Sequence, residues 1–190
     1  MNDSECEEAY YNRGCIYRNL GKLQEAIKDF DKAIDLNPKF AEAYNNRGNV
    51  HRELENFEDS IKDCNKAIEL DPDNARAHLN KGYTFFAMGA YQSAIEECDM
   101  ALKLDPKITS IYKNRGIAYR KLGYTQQAIT DFDKAIELNP KDADTYIKRG
   151  SAHFELENYQ EALDDVKSAA RLGHRGAQEA LKTKHKRHGC

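Results

Sequence analysis

The sequence predicts an all-α fold built from a stack of two-helix repeats. A glycine recurs every 34 residues, small residues and leucine recur in phase with it, and each interval carries two runs of helical periodicity. A fixed period of this length indicates a repeat architecture, in which each repeat buries its apolar face only against its neighbours. The recurring glycines are Gly14, Gly48, Gly82, Gly116 and Gly150. The predicted organisation is five repeats (7–40, 41–74, 75–108, 109–142 and 143–173), a capping helix (174–186) and a basic tail end (187–190).

Each repeat is predicted to contain two helices, and the fourth repeat shows both clearly. Its first helix places Tyr112, Gly116 and Tyr119 on one face at helical spacing. Gly123 ends this helix, because glycine readily adopts the left-handed conformation that follows a helix C-terminus. The second helix is indicated by the apolar series Ala128, Ile129, Phe132, Ala135, Ile136 and Leu138. It ends at Asn139-Pro140, because the residue before a proline disfavours the helical conformation.

Repeats two and five have no glycine where the first helix stops. They carry Glu55-Asn56 and Glu157-Asn158 at this point. Asparagine tolerates the left-handed conformation better than most residues. We therefore expect Asn56 and Asn158 to adopt it.

Small side chains recur where the two helices of a repeat would meet. Each repeat is numbered here so that its glycine is position eight, which places alanine or serine at position twenty and alanine at position twenty-seven. Glycine costs a helix about 0.8–1 kcal/mol relative to alanine. Its return in every repeat therefore indicates a close approach of two helices. We expect Ala101, at position twenty-seven, to be fully buried.

The combination of Gly14, Ala26, Phe30, Ala33 and Pro38, with its equivalents in the other repeats, resembles the tetratricopeptide repeat family. The resemblance covers residues 7–173 and implies antiparallel helix pairs that stack into a right-handed superhelical solenoid. It also implies that the first helices line a concave groove. The function it implies is a non-enzymatic scaffold that binds a peptide segment of a partner protein in that groove.

Three repeats depart from the family at position twenty-four, where an aromatic residue is usual. Cys64, Cys98 and Val166 stand there. We expect both cysteines to be buried, reduced thiols that behave as small apolar residues. The five cysteines of the chain include no Cys-x-x-Cys pair, which favours a reducing compartment such as the cytoplasm.

A column of asparagines is the main candidate for binding a partner. The column lies at position six, on the groove side that the resemblance implies, and consists of Asn12, Asn46, Asn80 and Asn114, with Lys148 in the fifth repeat. A side-chain amide offers both a donor and an acceptor, which suits the backbone of a guest peptide of any sequence. We expect these amides to have few intramolecular partners. The alternative is that asparagine is simply common at this position.

Charged and aromatic side chains complete the predicted groove. The further candidates are Asn49, Arg52, Arg76, Tyr83, Lys113 and Arg120. Arginines in such a row can bind carboxylates of a partner through paired hydrogen bonds, or they can be ordinary solvated charges. Position seven is always basic and position twenty-three always acidic, so we expect an ion pair that links helices within a repeat or between adjacent repeats.

Several functional classes are disfavoured by the sequence. The carboxylate clamp of chaperone-binding members of the family needs lysine, asparagine and arginine residues that no three consecutive repeats supply. No nucleophile, phosphate-loop or zinc motif is present, so we expect no enzymatic activity and no cofactor or metal. A net charge of −3 and a pI of about 6.1 argue against nucleic-acid binding, although a helical repeat that binds RNA remains an alternative.

The sequence also bears on the membrane and on self-association. No apolar run approaches the ~18 residues of a membrane span, and the acidic N-terminal stretch does not resemble a secretory signal. The main alternative to a peptide-binding scaffold is a homo-oligomer formed by end-to-end stacking. It would use the face of the first helix, which the sequence provides with no preceding polar cap.

Overall fold

The computed structural model describes the backbone of residues 3–187 and the side chains of residues 7–182. Within residues 3–187 the chain forms helices and no strands, which confirms the predicted all-α class. The helices are α1 (Asp3–Asn19), α2 (Leu23–Leu36), α3 (Ala41–Glu53), α4 (Phe57–Leu70), α5 (Ala75–Ala87), α6 (Tyr91–Leu104), α7 (Thr109–Lys121), α8 (Thr125–Leu138), α9 (Ala143–Glu155), α10 (Tyr159–Arg171) and α11 (Arg175–Arg187).

The helices form two compact bodies. The N-terminal body contains α1 to α6 and ends at Asp105, and the C-terminal body contains α7 to α11 and begins at Pro106. In each body, consecutive helices pack as pairs, α1 with α2 and α7 with α8 for example, and each pair packs against the next pair within its body. Because a helix forms no stable structure alone when it buries only one face, this pairing is what holds each repeat together.

Each first helix ends at the same position of the repeat, whichever residue type stands there. The left-handed residue is always position fifteen, which is Gly123 (φ 83°) in the fourth repeat but Glu55 (φ 61°) and Glu157 (φ 61°) in the second and fifth. The expectation that Asn56 and Asn158 adopt this conformation was wrong. Asn56 has φ −82° and directly precedes α4. The chain reverses at one fixed place in the repeat, so a glutamate there is held in the conformation that glycine adopts elsewhere.

The small residues allow the paired helices to approach closely, as expected. Ala101 is fully buried. A β-carbon placed on Gly116 would lie 2.8 Å from Cε1 of Phe132 and 3.2 Å from the carbonyl oxygen of Ala128. A β-carbon contact of 2.8 Å is not tolerated in a packed interior, and one of 3.2 Å is tight, so the glycine is required mainly by the Phe132 ring. Gly82 differs, because its added β-carbon would meet no atom closer than 3.4 Å.

This difference predicts opposite effects for the same substitution. We expect Gly116→Ala to lower the free energy of unfolding by about 1–2 kcal/mol, because overpacking costs about 1–3 kcal/mol and alanine returns about 1 kcal/mol of helix propensity. Gly82→Ala should instead raise it by about 0.5–1 kcal/mol, because only the propensity changes. Urea denaturation followed by circular dichroism measures both. Two variants that change stability in the same direction would contradict the packing argument.

Candidate functional site

The candidate residues lie on one side of the first helices, which we call the first-helix face. In the N-terminal body it consists of Tyr11, Asn12, Asn45, Asn46, Asn49, Arg52, Asn80 and Tyr83 on α1, α3 and α5. In the C-terminal body it consists of Lys113, Asn114, Arg120, Ile147, Lys148 and Phe154 on α7 and α9. These residues share the face because they recur at repeat positions five, six, nine and twelve, which are neighbours on a helix surface.

The asparagine column is hydrogen-bonded across neighbouring repeats. Nδ2 of Asn46 donates to the hydroxyl oxygen of Tyr11 at 2.7 Å, and Nδ2 of Asn80 donates to Oδ1 of Asn45 at 2.9 Å. Nδ2 of Asn46 also lies 3.8 Å from Sγ of Cys15. The expectation of few intramolecular partners was therefore wrong for these amide nitrogens. The partner of each sits at position five of the preceding repeat, so it is 35 residues earlier in the chain.

In Asn46 and Asn80 the side-chain nitrogen is hydrogen-bonded, whereas the side-chain oxygen has no donor among the described residues. Among the described residues, Oδ1 of Asn46 and Oδ1 of Asn80 accept no hydrogen bond. Burial together with the neighbouring Cys15 raises the pKa of Tyr11 to about 12, so its hydroxyl stays protonated and neutral as it accepts from Asn46. Both amides are therefore held in a fixed orientation by the nitrogen while the oxygen remains available.

The remaining column members behave differently from this pair. Asn12 is exposed on α1. Nδ2 of Asn114 donates to the backbone oxygen of Ser110 in its own helix at 2.6 Å. In the fifth repeat, Nζ of Lys148 lies 3.5 Å from the carboxylate of Asp144. The column is therefore not uniform, and only Asn46 and Asn80 share one arrangement.

Most of the predicted basic residues are already paired. Nε of Arg120 donates to Glu155 at 2.8 Å, and Nζ of Lys113 donates to Asp142 at 3.0 Å. Although burial alone would raise the pKa of Asp142, hydrogen bonds from Thr145 and Lys113 lower it below its usual value. The bonds of Arg120 and Lys113 connect α7 with α9 and with the residue that precedes α9. They leave less charge for a partner than the sequence suggested.

Two arginines of the N-terminal body donate no hydrogen bond to a carboxylate of the described residues, although Nη2 of Arg52 lies 3.9 Å from the carboxylate of Glu53. Nη2 of Arg52 donates to Oδ1 of Asn49 at 2.6 Å, and its guanidinium lies over the ring of Tyr83 at 5.8 Å. Arg76 is exposed at the start of α5 and makes no ion pair with the described residues. An arginine held over an aromatic ring keeps a rigid, desolvated surface that a guest can contact.

The predicted ion pair between positions seven and twenty-three is confirmed. Within each repeat the two residues lie 16 apart and join the paired helices, with nitrogen-to-oxygen distances from 2.6 to 3.0 Å. The pairs are Arg13–Asp29, Arg47–Asp63, Lys81–Glu97, Arg115–Asp131 and Arg149–Asp165. Hydrogen bonds to Asp165 raise the pKa of Arg149 above its usual range. The arginine column is therefore structural.

Two arginines of this column also reach the preceding repeat. Nη1 of Arg47 donates to Asp31 at 2.6 Å, and Nη1 of Arg149 donates to Asp133 at 2.7 Å. Both aspartates occupy position twenty-five of the preceding second helix. The same guanidinium thus ties together two repeats as well as two helices of one repeat.

The C-terminal body contains an apolar hollow between α9 and α10. Its volume is about 520 Å³, and it is lined by Arg120, Ile147, Gly150, Ser151, Phe154, Glu155, Tyr159, Ala162, Leu163 and Val166. Phe154 is 63% exposed and its ring meets that of Tyr159 edge-on, with centroids 5.4 Å apart. Val166 stands where Phe30 and Phe132 fill the corresponding space of the first and fourth repeats. The hollow is large enough to receive an apolar side chain.

The cysteines at position twenty-four are buried thiols, as expected. Cys64 and Cys98 lie in the interior of the N-terminal body and form no disulfide with a described residue. Burial raises the pKa of the Cys64 thiol to about 12, which keeps it protonated and unreactive at neutral pH. Cys190 lies outside the described residues.

Models of the tetratricopeptide repeat match most of the chain. One matches residues 7–40, 41–74, 75–108 and 110–142, and a second matches residues 132–164. The chain belongs to the tetratricopeptide repeat (TPR) family. The second match begins inside α8 and ends inside α10, so it covers the fifth TPR in a shifted frame.

Solved structures show the same TPR fold. A structure of MamA shares 24% identity, covers 87% of this chain and 96% of its own, and has a TM-score of 0.75. PilF of Pseudomonas aeruginosa shares 22% identity, with 91% and 79% coverage and a TM-score of 0.84. YrrB, described as a TPR protein with an unusual peptide-binding site, shares 22% identity, with 96% and 98% coverage and a TM-score of 0.72. No curated protein sequence matches the chain.

Among residues 3–187, no helix is both long enough and apolar enough to cross a bilayer. Among the described side chains of residues 7–182, no group of three or more histidine, cysteine, aspartate or glutamate residues could bind a metal ion.

Sequence reasoning missed two features of the TPR surfaces. The hydrogen bonds of Asn46 and Asn80 could have been inferred, because a polar residue stands 35 positions before each of them. The hollow had a signal in Val166, which is smaller than the aromatic residue usual at its position. The hydrogen bonds follow only from adjacent columns of successive repeats, whereas the hollow follows from residue size within one column.

Proposed function

We propose that this TPR chain is a non-enzymatic scaffold that binds a peptide segment of a partner protein on the first-helix face of its N-terminal body. The observation that carries the proposal is the shared arrangement of Asn46 and Asn80. Each amide nitrogen is anchored within the protein, and each amide oxygen accepts no bond from a described residue. Two such oxygens on consecutive first helices can each accept a backbone N–H of an extended guest.

Anchoring favours binding by this pair. A side chain that is free to rotate loses entropy when it contacts a ligand, whereas one already fixed by a hydrogen bond loses little. Tyr11 and Asn45 provide that fixation. Beside the pair, Arg52 lies over Tyr83 and adds a surface for an apolar or acidic guest side chain. Recognition through the backbone makes the pair tolerant of guest sequence, and the flanking side chains supply selectivity.

The family and one neighbour support a peptide as the ligand class. YrrB is described as having a peptide-binding site, although at 22% identity its likeness to this chain extends to the fold. In the C-terminal body the hollow beside Phe154 offers a separate place for one apolar side chain of a partner. A cytoplasmic location is part of the proposal, because Cys15, Cys64 and Cys98 form no disulfide with a described residue.

The proposal predicts that removing both amides weakens peptide binding. A suitable probe is a 12-residue peptide selected from a random phage-displayed library on the wild-type protein. We expect Asn46→Ala/Asn80→Ala to weaken its binding by about 1–3 kcal/mol, because each lost hydrogen bond contributes about 0.5–1.5 kcal/mol. Replacing single amide N–H groups of the peptide with N-methyl should weaken binding at the contacted positions and leave the others unchanged. Isothermal titration calorimetry measures both effects.

A matched variant separates binding from folding. Tyr11→Phe/Asn45→Ala removes the same two intramolecular hydrogen bonds but keeps both asparagines. Both double variants should lose some stability, of about 0.5–1.5 kcal/mol for each bond. The asparagine variant should lose clearly more peptide affinity than the matched variant. Equal affinity losses in the two variants, or peptides that bind the asparagine variant as tightly as the wild type, would contradict the proposal.

A further inference from the structure

The outer face of α1 exposes its apolar side chains more than other repeats expose the same positions. Position ten is buried in the other repeats, and position fourteen is less exposed there than in α1, with Leu156 40% exposed for example. This face consists of Arg13, Ile16 and Leu20, at repeat positions seven, ten and fourteen. Ile16 is 58% exposed and Leu20 is 64% exposed. It is distinct from the first-helix face, which uses positions five, six, nine and twelve. No described second helix covers it.

The second repeat shows what such a face normally contacts. Val50, at position ten, is fully buried and packs against Ala26 and Phe30 of α2. Leu54, at position fourteen, joins the same apolar cluster. Arg47, at position seven, adds the hydrogen bond from Nη1 to Asp31 of α2. A preceding second helix therefore provides two things, an apolar surface and one carboxylate.

The fifth repeat uses the same arrangement. Ala152, at position ten, is fully buried and packs against Ala128 and Phe132 of α8. Nη1 of Arg149 donates to Asp133 of α8. The residues contributed by the preceding helix follow one spacing, Ala-Ile-x-x-Phe-Asp, which is residues 26–31 in α2 and residues 128–133 in α8. Within each body this spacing defines the partner surface of a first helix.

Arg13 is left with one unused donor group. Its Nε and Nη2 donate to Asp29 at 2.7 Å each, as the other arginines of the column do to their own aspartates. Among the described residues nothing accepts from its Nη1, the group that binds a second aspartate in Arg47 and Arg149. The side chain of Arg13 is also more than half exposed. The outer face of α1 thus presents two apolar side chains beside the exposed Nη1 of Arg13.

The geometry points to a docking surface on α1 for an amphipathic helix of a partner protein that carries alanine, isoleucine, phenylalanine and aspartate at the spacing Ala-Ile-x-x-Phe-Asp. The apolar residues of that helix cover Ile16 and Leu20, and its aspartate accepts from Nη1 of Arg13. The interface repeats within a complex the contact that α2 makes with α3 inside this chain. Burial of the two side chains supplies the favourable free energy, and the charge pair fixes the register of the helix.

A second copy of the chain fits this surface poorly. Its last repeat ends in α10, which already packs against α11 and whose residue at position twenty-five is Lys167 where α2 and α8 have aspartate. Lys167 would approach Arg13, and like charges placed together across an interface oppose association. Position twenty-four of α10 is Val166, which is smaller than the phenylalanine of the other two helices. End-to-end stacking of identical chains is therefore disfavoured by two residues of α10, Val166 and Lys167, which differ from their equivalents in α2 and α8.

The test uses the full chain and a synthetic helix as probe. The probe is a fluorescent, lactam-stapled peptide with the sequence of residues 124–138, which contains the required spacing. We expect it to bind wild-type protein, and Ile16→Ser/Leu20→Ser to weaken binding roughly tenfold or more. Replacing the probe residue that corresponds to Asp133 with asparagine should weaken binding of the wild type, and raised salt should do the same.

Two controls define the outcomes. Met100→Ser changes an exposed apolar residue of α6 and should leave binding unchanged. Circular dichroism of the Ile16→Ser/Leu20→Ser variant should match that of the wild type, because both side chains are exposed. Chemical-shift changes should centre on α1. The proposal is overturned if the probe fails to bind, binds the α1 variant equally well, or shifts resonances elsewhere. It is also overturned if the wild type self-associates through Ile16 and Leu20, which sedimentation over a concentration series would reveal.

Discussion

Replacing Arg47 with methionine is expected to lower the free energy of unfolding by about 3–5 kcal/mol. Asp63 is only 4% exposed, and Arg47 holds its carboxylate with hydrogen bonds of 2.8 and 2.7 Å. Methionine keeps the apolar stem but removes the guanidinium, so a buried carboxylate loses its main partner. The remaining cationic candidate is His51, whose Nε2 lies 3.9 Å from Asp63. An uncompensated buried charge is far more costly than the loss of a surface ion pair.

Two further variants identify the cause of that loss. Arg76→Met makes the same chemical change at an exposed residue without an ion pair among the described residues, and stability should change by no more than about 0.5 kcal/mol. Arg47→Met/Asp63→Leu removes both charges and should recover much of the lost stability. Urea denaturation measures all three. If the double variant is no more stable than Arg47→Met, the loss does not arise from a stranded carboxylate.

The fold could be predicted from the sequence because a repeat fixes its own register. Once Gly14 and Gly116 occupy equivalent positions, the helices around them are equivalent too, and the small residues at positions eight, twenty and twenty-seven follow from close packing. The same register also determines the left-handed residue at position fifteen. The prediction for Asn56 was wrong because it weighed residue preference above register, whereas the turn holds Glu55 in that conformation.

The candidate site was less predictable because side chains of adjacent repeats contact one another. The position of Asn46 on its helix could be read from the repeat, but its hydrogen bond depends on whether position five of the preceding repeat is polar. Tyr11 is polar there, as is Asn45 for Asn80. Likewise, Arg120 and Lys113 were predicted as available cations, but Arg120 is paired with Glu155 of α9 and Lys113 with Asp142, which directly precedes α9. Such contacts join side chains about one repeat apart, so they can be predicted only when both residues are considered together.

Replacing Phe132 with alanine is expected to lower the free energy of unfolding by about 3–5 kcal/mol. The ring is fully buried in the C-terminal body, packed with Ala128, Ile129 and Ala152. The helices α8 and α9 cannot close the space it leaves, because the rigid backbone of each is fixed by its own hydrogen bonds. Phe154→Ala makes the same change at a residue that is 63% exposed.

The matched variant should lose no more than about 1 kcal/mol, mainly through the edge-on contact with Tyr159. Equal losses for Phe132→Ala and Phe154→Ala would contradict the burial argument.

A second test uses the glycine that faces the ring. In the wild type the β-carbon of Gly116→Ala would collide with Phe132 at 2.8 Å. In the Phe132→Ala background that collision is absent and only the 3.2 Å approach to the carbonyl oxygen of Ala128 remains, so Gly116→Ala should destabilise this background clearly less than it destabilises the wild type. A glycine substitution that destabilises both backgrounds equally would show that the ring is not what requires the glycine.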